Sequence, residues 1–227
     1  MKANIIMKSS YIILITVCLL TSFGSFSQEK KVALGLGLSP TTNWFKTNSS
    51  ILESGGSKFG FNYGLIADFS FGENYAYSTG LFINNGGGKL KTDYSQDTLN
   101  VSIEDEVKIQ SIRMPVTLRM MTKEIGYFRY YGVFGFNFDY IINATSDRRI
   151  DGGEEERNID IKSELTPINV SLSLGIGLMY NISGTTNFIV GVSFNNGFID
   201  VLKGDAENGE TLKATANQIA LNLGILF

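Results

Sequence analysis

From Ile168 onward the chain alternates without a break. Ile168, Val170, Leu172, Leu174, Ile176, Leu178, Tyr180 and Ile182 interleave with Asn169, Ser171, Ser173, Gly175, Gly177, Met179 and Asn181. A period of two places successive side chains on opposite faces of a strand, so one face is apolar and the other is small and polar. Strands of soluble sheets are usually about five or six residues long, and this run is much longer, as a tilted membrane-crossing strand must be. Phe59, Phe61, Tyr63, Leu65, Ala67, Phe69 and Phe71 repeat the pattern against Gly60, Asn62, Gly64, Asp68 and Ser70. The chain ends on it too, with Ile219, Leu221, Leu223, Ile225 and Phe227 opposite Gln218, Ala220, Asn222 and Gly224. Further strands are predicted near 31–39, 75–91, 107–121, 127–143 and 186–199, making eight.

The connections alternate in length. Residues 72–74, 122–126 and 183–185 are short, whereas 40–58, 92–106, 144–164 and 200–213 are long and polar. Short turns at one end and long loops at the other predict an all-β, eight-stranded antiparallel up-and-down transmembrane β-barrel, with turns and both termini periplasmic and loops outside. An eight-stranded barrel has an interior just wide enough for side chains, so the small polar set faces in and the aromatic-rich set meets outer-membrane lipid. The reverse assignment, a soluble lipocalin-like barrel, would leave glycine and serine to face water with few charges. Aromatics also gather near both predicted interfaces: Phe69, Phe71, Tyr75, Tyr77, Phe128, Tyr130, Tyr180, Phe188 and Phe227 on the turn side, and Phe59, Phe61, Phe138, Tyr140 and Phe198 on the loop side.

Residues 1–27 read as a cleaved signal peptide ahead of a barrel domain at 28–227. Lys2 and Lys8 precede an apolar run from Tyr11 to Leu20 and then Ser22, Gly24, Ser25 and Ser27, so cleavage is placed after Ser27. The run is too short to span a bilayer as a retained helical anchor. Met7-Lys8 would start an equally good signal. Removing Lys2 and Lys8 from the 19 basic residues leaves 17 against 22 acidic ones, a net charge of −5, which argues against nucleic acid as a partner. The only cysteine, Cys18, lies inside the signal, where Val17 precedes it instead of the small residue a lipoprotein site requires. Histidine is absent. Cys/His metal sites, cysteine nucleophiles and imidazole-based triads are therefore excluded from the mature chain.

The strand Ile112-Arg113-Met114-Pro115-Val116-Thr117-Leu118-Arg119, the aromatic and glycine-rich strand Tyr130 to Tyr140, and the terminal Leu226-Phe227 resemble the Bacteroidota outer-membrane barrels called PorT-like. The resemblance covers nearly the whole mature chain. It implies a Gram-negative outer-membrane location, a role tied to secretion or surface assembly, partners among secretion-system or surface proteins, and Phe227 as the carboxyl-terminal signal read by the barrel-assembly machinery. No catalytic residue and no cofactor carry over.

Candidate chemistry is sparse. Gly35-x-Gly37 and Gly175-x-Gly177 sit mid-strand and open no helix, so they read as sites of close packing and not as nucleotide loops. Gly86-Gly87-Gly88 reads as a relaxation of strand curvature. The acidic groups Glu104-Asp105-Glu106 and Asp151 with Glu154-Glu155-Glu156 lack EF-hand spacing, and Arg148, Arg149 and Arg157 interleave the second, so both read as solvated loops. Trp44 reads as an interface anchor. Pro115, with no N–H to donate and no free edge in a closed barrel, predicts a bulge or local break in the ladder. Strand parity places Arg113, Arg119, Arg129, Asp68 and Asp139 inside, as a charge cluster in which Asp68 balances Arg119 and Arg129 near the short turns while Arg113 meets Asp139 higher up. The alternative is that these arginines snorkel singly to the rim. The expected function is that of a non-enzymatic barrel, structural or accessory to secretion or surface assembly; the alternatives are a narrow channel and a small-ligand-binding barrel.

Overall fold

A computed structural model describes residues 32–47, 52–96, 99–150, 155–203 and 213–227; the expected signal peptide lies outside them. The strands are β1 (Val32–Thr47), β2 (Leu52–Gly56), β3 (Lys58–Gly72), β4 (Tyr75–Gln96), β5 (Leu99–Met121), β6 (Phe128–Ile150), β7 (Glu155–Asp160), β8 (Ile168–Ser183), β9 (Thr186–Asp200) and β10 (Ala214–Leu226). Eight of them close a ring in the order β4, β3, β1, β10, β9, β8, β6, β5 and back to β4, and among the described residues every ladder of the ring is antiparallel. The remaining two, β2 and β7, are short additions that pair with β4 and β6 on the loop side.

Parity decides the two faces. Along β8 the even residues from Ile168 to Tyr180 point outward; Ile176 is 74 % exposed, while Ser171 on the alternate face is buried. Twelve steps at about 3.4 Å, tilted by about 45°, give an apolar band of roughly 29 Å, close to the height of such barrels. The apolar face is thus outside. Aromatic rings cluster near the turns, with Phe71 4.7 Å from Tyr77 and Phe128 5.0 Å from Tyr180 between ring centroids. On the loop side Trp44 stacks on Phe194 of β9. Gly126 (φ 67°) and Gly184 (φ 57°) take the left-handed backbone that two of the turns require.

One expectation changes. Residues 92–106 and 144–164 were predicted to be loops, yet β4, β5 and β6 continue as paired strands far past the apolar band. Their outward charges read as solvated loop in the sequence, but they form cross-strand pairs: Lys91 faces Glu104, Glu104 faces Arg149 and Arg149 faces Glu155. The result is a projecting sheet in the order β2, β4, β5, β6, β7. Its inner side carries Leu90, Val107 and Ala144, which pack with Phe45, Ile161, Leu165 and Val201 into a second apolar core above the barrel.

At Pro115 the expected departure takes the form of a local break in one ladder, without a bulge. Pairing with β6 runs straight through Pro115↔Asn137, and the register with β4 is the same at Thr79↔Val116 and Phe82↔Arg113, although the two positions between them are unpaired. The missing N–H interrupts one ladder without shifting it. Pro40 behaves alike: its ladder to β10 skips from Leu38↔Leu223 to Thr41↔Ala220 while pairing with β3 continues.

Candidate functional site

The inner faces build a lumen in layers. At the turn end Tyr131, Met179, Ile189 and Leu226 pack together, with Ile66 and Val133 against them. Tyr131 fits because its neighbours are glycines: a Cβ on Gly177 would lie 2.4 Å from its ring, and one on Gly191 2.4 Å from its hydroxyl. Level with this packing Asp68 of β3 pairs with Arg119 of β5, and Ser78 of β4 bridges them, donating to Asp68 Oδ1 (2.5 Å) and accepting from Arg119 Nη2 (3.2 Å). The Arg119 guanidinium also sits 5.1 Å from the centre of the Tyr131 ring, a cation–π distance.

Next comes a cavity of about 130 Å³, and then a second polar layer. Arg113 grips Asp139 with two bonds, Nε to Oδ1 (2.7 Å) and Nη2 to Oδ2 (3.1 Å), and spends Nη1 on Gln218 Oε1 (2.5 Å). Gln218 is the hub. Its Oε1 also accepts from Asn195 (3.1 Å) and Asn62 (3.4 Å), and its Nε2 donates to Asn43 (2.7 Å) and Asn84 (3.1 Å). Asn137 donates to Asn195 (2.9 Å) and Ser171 (3.4 Å). With β1, β3, β4, β5, β6, β8, β9 and β10 each supplying a member, all eight barrel strands meet in one network across the bore. A smaller cavity of about 40 Å³ lies beyond it, under the apolar core of the loop end.

The structure therefore brings Asp68 to Arg119 and Arg113 to Asp139, each residue being less than a tenth exposed. It does not bring Arg129 to either pair. Arg119 lies opposite Val133, not Arg129, because β6 starts only at Phe128 after a wide turn closed by the Ile125↔Phe128 bridge. Arg129 is left at the rim, where it donates to Glu124 in that turn (3.0 Å) with 39 % of its side chain exposed. The expected five-membered cluster is corrected to two separate pairs and a rim arginine. An exposed pair of this kind is worth at most about 1 kcal/mol, so Arg129→Ala should shift the unfolding free energy by no more than that. A urea titration in detergent would show it.

Phe227 continues the outward row of β10; it is 54 % exposed, and its N–H donates to the Leu34 carbonyl across the β1–β10 seam (2.7 Å). Gln218, Asn43, Asn84, Asn195 and Tyr131 were not singled out from sequence. Their one visible signal is inward parity on long or amide side chains where the rest of the face is small.

The acidic groups of the loop side are ion-paired: Asp105 with Arg148 (2.9 Å), Glu106 with Lys58, Glu104 with Lys91 (3.9 Å) and Glu155 with Arg149 and Arg157. Residues 151–154 lie outside the described part. The Lys58 hydrogen bond, helped by the charges of Lys58, Lys89 and Lys108, holds the Glu106 carboxyl below its ordinary pKa against the opposing effect of burial. Asp147 is lowered likewise, first by Lys108 and then by the Asn158 backbone N–H. Among the described residues no group of acidic side chains is arranged to hold a metal ion.

The sequence model of a family described as outer membrane protein beta-barrel domain matches residues 26–203. The chain belongs to this family. It is accordingly a bacterial outer-membrane β-barrel whose apolar face sits in the membrane lipid. The family match ends before β10, the strand that closes the ring on β1. No curated protein sequence matches the chain. Among solved structures, Neisserial surface protein A superposes with a TM-score of 0.50 at 12% identity, over 88% of this chain and 100% of that one. OprG from Pseudomonas aeruginosa gives a TM-score of 0.42 at 13% identity, over 87% of this chain and 97% of that one. Ail, the attachment invasion locus protein of Yersinia pestis, gives 0.39 at 14%, over 87% and 99%. The first of these likenesses, at so low an identity, concerns the fold of this outer-membrane barrel and nothing finer.

Proposed function

We propose that this outer-membrane barrel is non-conducting and non-enzymatic, and that it serves as a structural or accessory component of secretion or surface assembly. The observation that carries this reading is the Gln218-centred network, to which every barrel strand contributes, set between two apolar seals. An ion entering the lumen would have to displace the Arg113–Asp139 pair and cross apolar packing at both ends, which is a dewetted barrier. The small-ligand alternative is disfavoured by size, since about 130 Å³ falls short of the roughly 300–1,000 Å³ of typical ligand sites.

With the lumen filled, contacts fall to the outside. The projecting sheet of β2, β4, β5, β6 and β7 offers a charged surface beyond the lipid, which suits the secretion or surface partners implied by the resemblance to PorT-like barrels. Purified barrel reconstituted into planar bilayers should add no conductance. Steady single-channel steps from the folded, heat-modifiable species would overturn the sealed reading in favour of a narrow channel, and crosslinking from intact outer membranes would identify the partner.

A further inference from the structure

We propose that the larger lumen cavity is a built site for internal water, with one molecule held by Arg119 Nε and another by Asn62 Oδ1. Both residues are more than nine-tenths buried and both line this cavity. Arg119 directs Nη1 to Asp68 and Nη2 to Ser78, so among the described residues its Nε–H has no protein acceptor. Asn62 gives its amide N–H to Gln218 and keeps an unmatched carbonyl oxygen. Buried polar atoms are matched almost without exception, because one left alone forfeits its hydration and gains nothing. Here a donor and an acceptor are left over, one in each polar layer, and the space between those layers joins them.

The class of ligand follows from charge, size and access. Arg119 is neutralised by Asp68 and Arg113 by Asp139, so the cavity calls for neither an anion nor a cation. Its volume of about 130 Å³ well exceeds the roughly 10–15 Å³ that a cavity needs to hold one water. Cavities that stay dry are lined by leucine, isoleucine and phenylalanine. This one is walled in part by Ser39, Thr117, Ser173, Ser193 and Asn222, whose hydroxyls and amide can turn to accept or donate as a chain of waters requires. The apolar seals at both ends admit a small neutral molecule during breathing motions more readily than a hydrated ion. Both anchors line this one cavity, and their hydration does not depend on whether the barrel conducts.

A crystal structure at a resolution that shows ordered solvent should place water within hydrogen-bond distance of both Arg119 Nε and Asn62 Oδ1. In detergent-solubilised wild-type protein the Arg119 Hε resonance should show a nuclear Overhauser effect to water. In Asn62→Leu, once heat-modifiable mobility shows it folded, the water at the loop end should be lost while the one on Arg119 remains. A dry cavity, an Arg119 Nε–H that turns to a protein acceptor, or density for a co-purified molecule larger than water would overturn the assignment. The wild-type measurements decide the matter even if Asn62→Leu does not fold.

Discussion

Asp68→Ala should cost the folded barrel about 3–5 kcal/mol, the loss typical when one member of a buried ion pair is removed and its partner is stranded. The stranded partner is Arg119, less than a tenth exposed and enclosed by the Tyr131 ring and Ser78. Ser78 cannot replace a carboxylate, since its hydroxyl carries no charge to balance the guanidinium. The penalty comes from the uncompensated charge and not from the worth of the pair itself. Hence Asp68→Ala combined with Arg119→Met should recover much of the loss, since an apolar replacement of both partners is often close to neutral. Urea titrations of the heat-modifiable band, wild type against single and double variants, measure both quantities. A single variant within about 1 kcal/mol of wild type would mean that Arg119 reaches solvent and that this layer is open.

Much of this was legible from parity alone. Alternation assigned Asp68, Arg113, Arg119 and Asp139 to the inner wall, and in an antiparallel barrel the inner wall is set residue by residue by the strand pattern. What parity cannot give is depth. Arg129 has the same inward parity as Tyr131, but it is the first inward position after the turn, and from there its side chain reaches Glu124 at the rim. That outcome depends on how many residues the turn consumes, which the sequence leaves open by two or three. The Gln218 hub was hidden for a related reason. Its partners Asn43, Asn62, Asn84, Asn195 and Arg113 come from five other strands, and only the stagger of the closed ring brings them to one level.

The projecting sheet was missed because its charges look like loop. In the sequence Glu104, Asp105, Arg148 and Arg149 suggest a solvated connection, whereas their spacing is that of cross-strand partners once β5 and β6 are extended. A hairpin beyond the lipid no longer needs an apolar outer face. Its alternation passes from apolar against polar to apolar against charged, with Leu90 and Val107 still inside.

Phe227→Asp should sharply reduce the amount of folded barrel in the outer membrane while changing the stability of what does assemble far less. Two costs can be separated. A charged side chain on the lipid face is expensive at the bilayer centre but costs only about 0–1 kcal/mol near an interface, and carboxylates cost less than arginine or lysine. Phe227 follows directly on β10, ends its outward row and lies beside Leu34 near the turn-side rim, so its contribution to the folded state is small. Its main-chain N–H, which closes the seam on the Leu34 carbonyl, is untouched by the substitution. Stability alone thus predicts an almost normal yield. A role as the terminal aromatic signal for the barrel-assembly machinery, which the resemblance to PorT-like barrels implies, predicts instead that the unfolded chain is not recognised and is lost before insertion. Refolding purified Phe227→Asp into detergent without the machinery should then succeed, with a urea midpoint near wild type, whereas its abundance in cell envelopes should fall severalfold. Equal abundance in the envelope, with unchanged heat-modifiable mobility, would leave Phe227 as an ordinary lipid-facing residue.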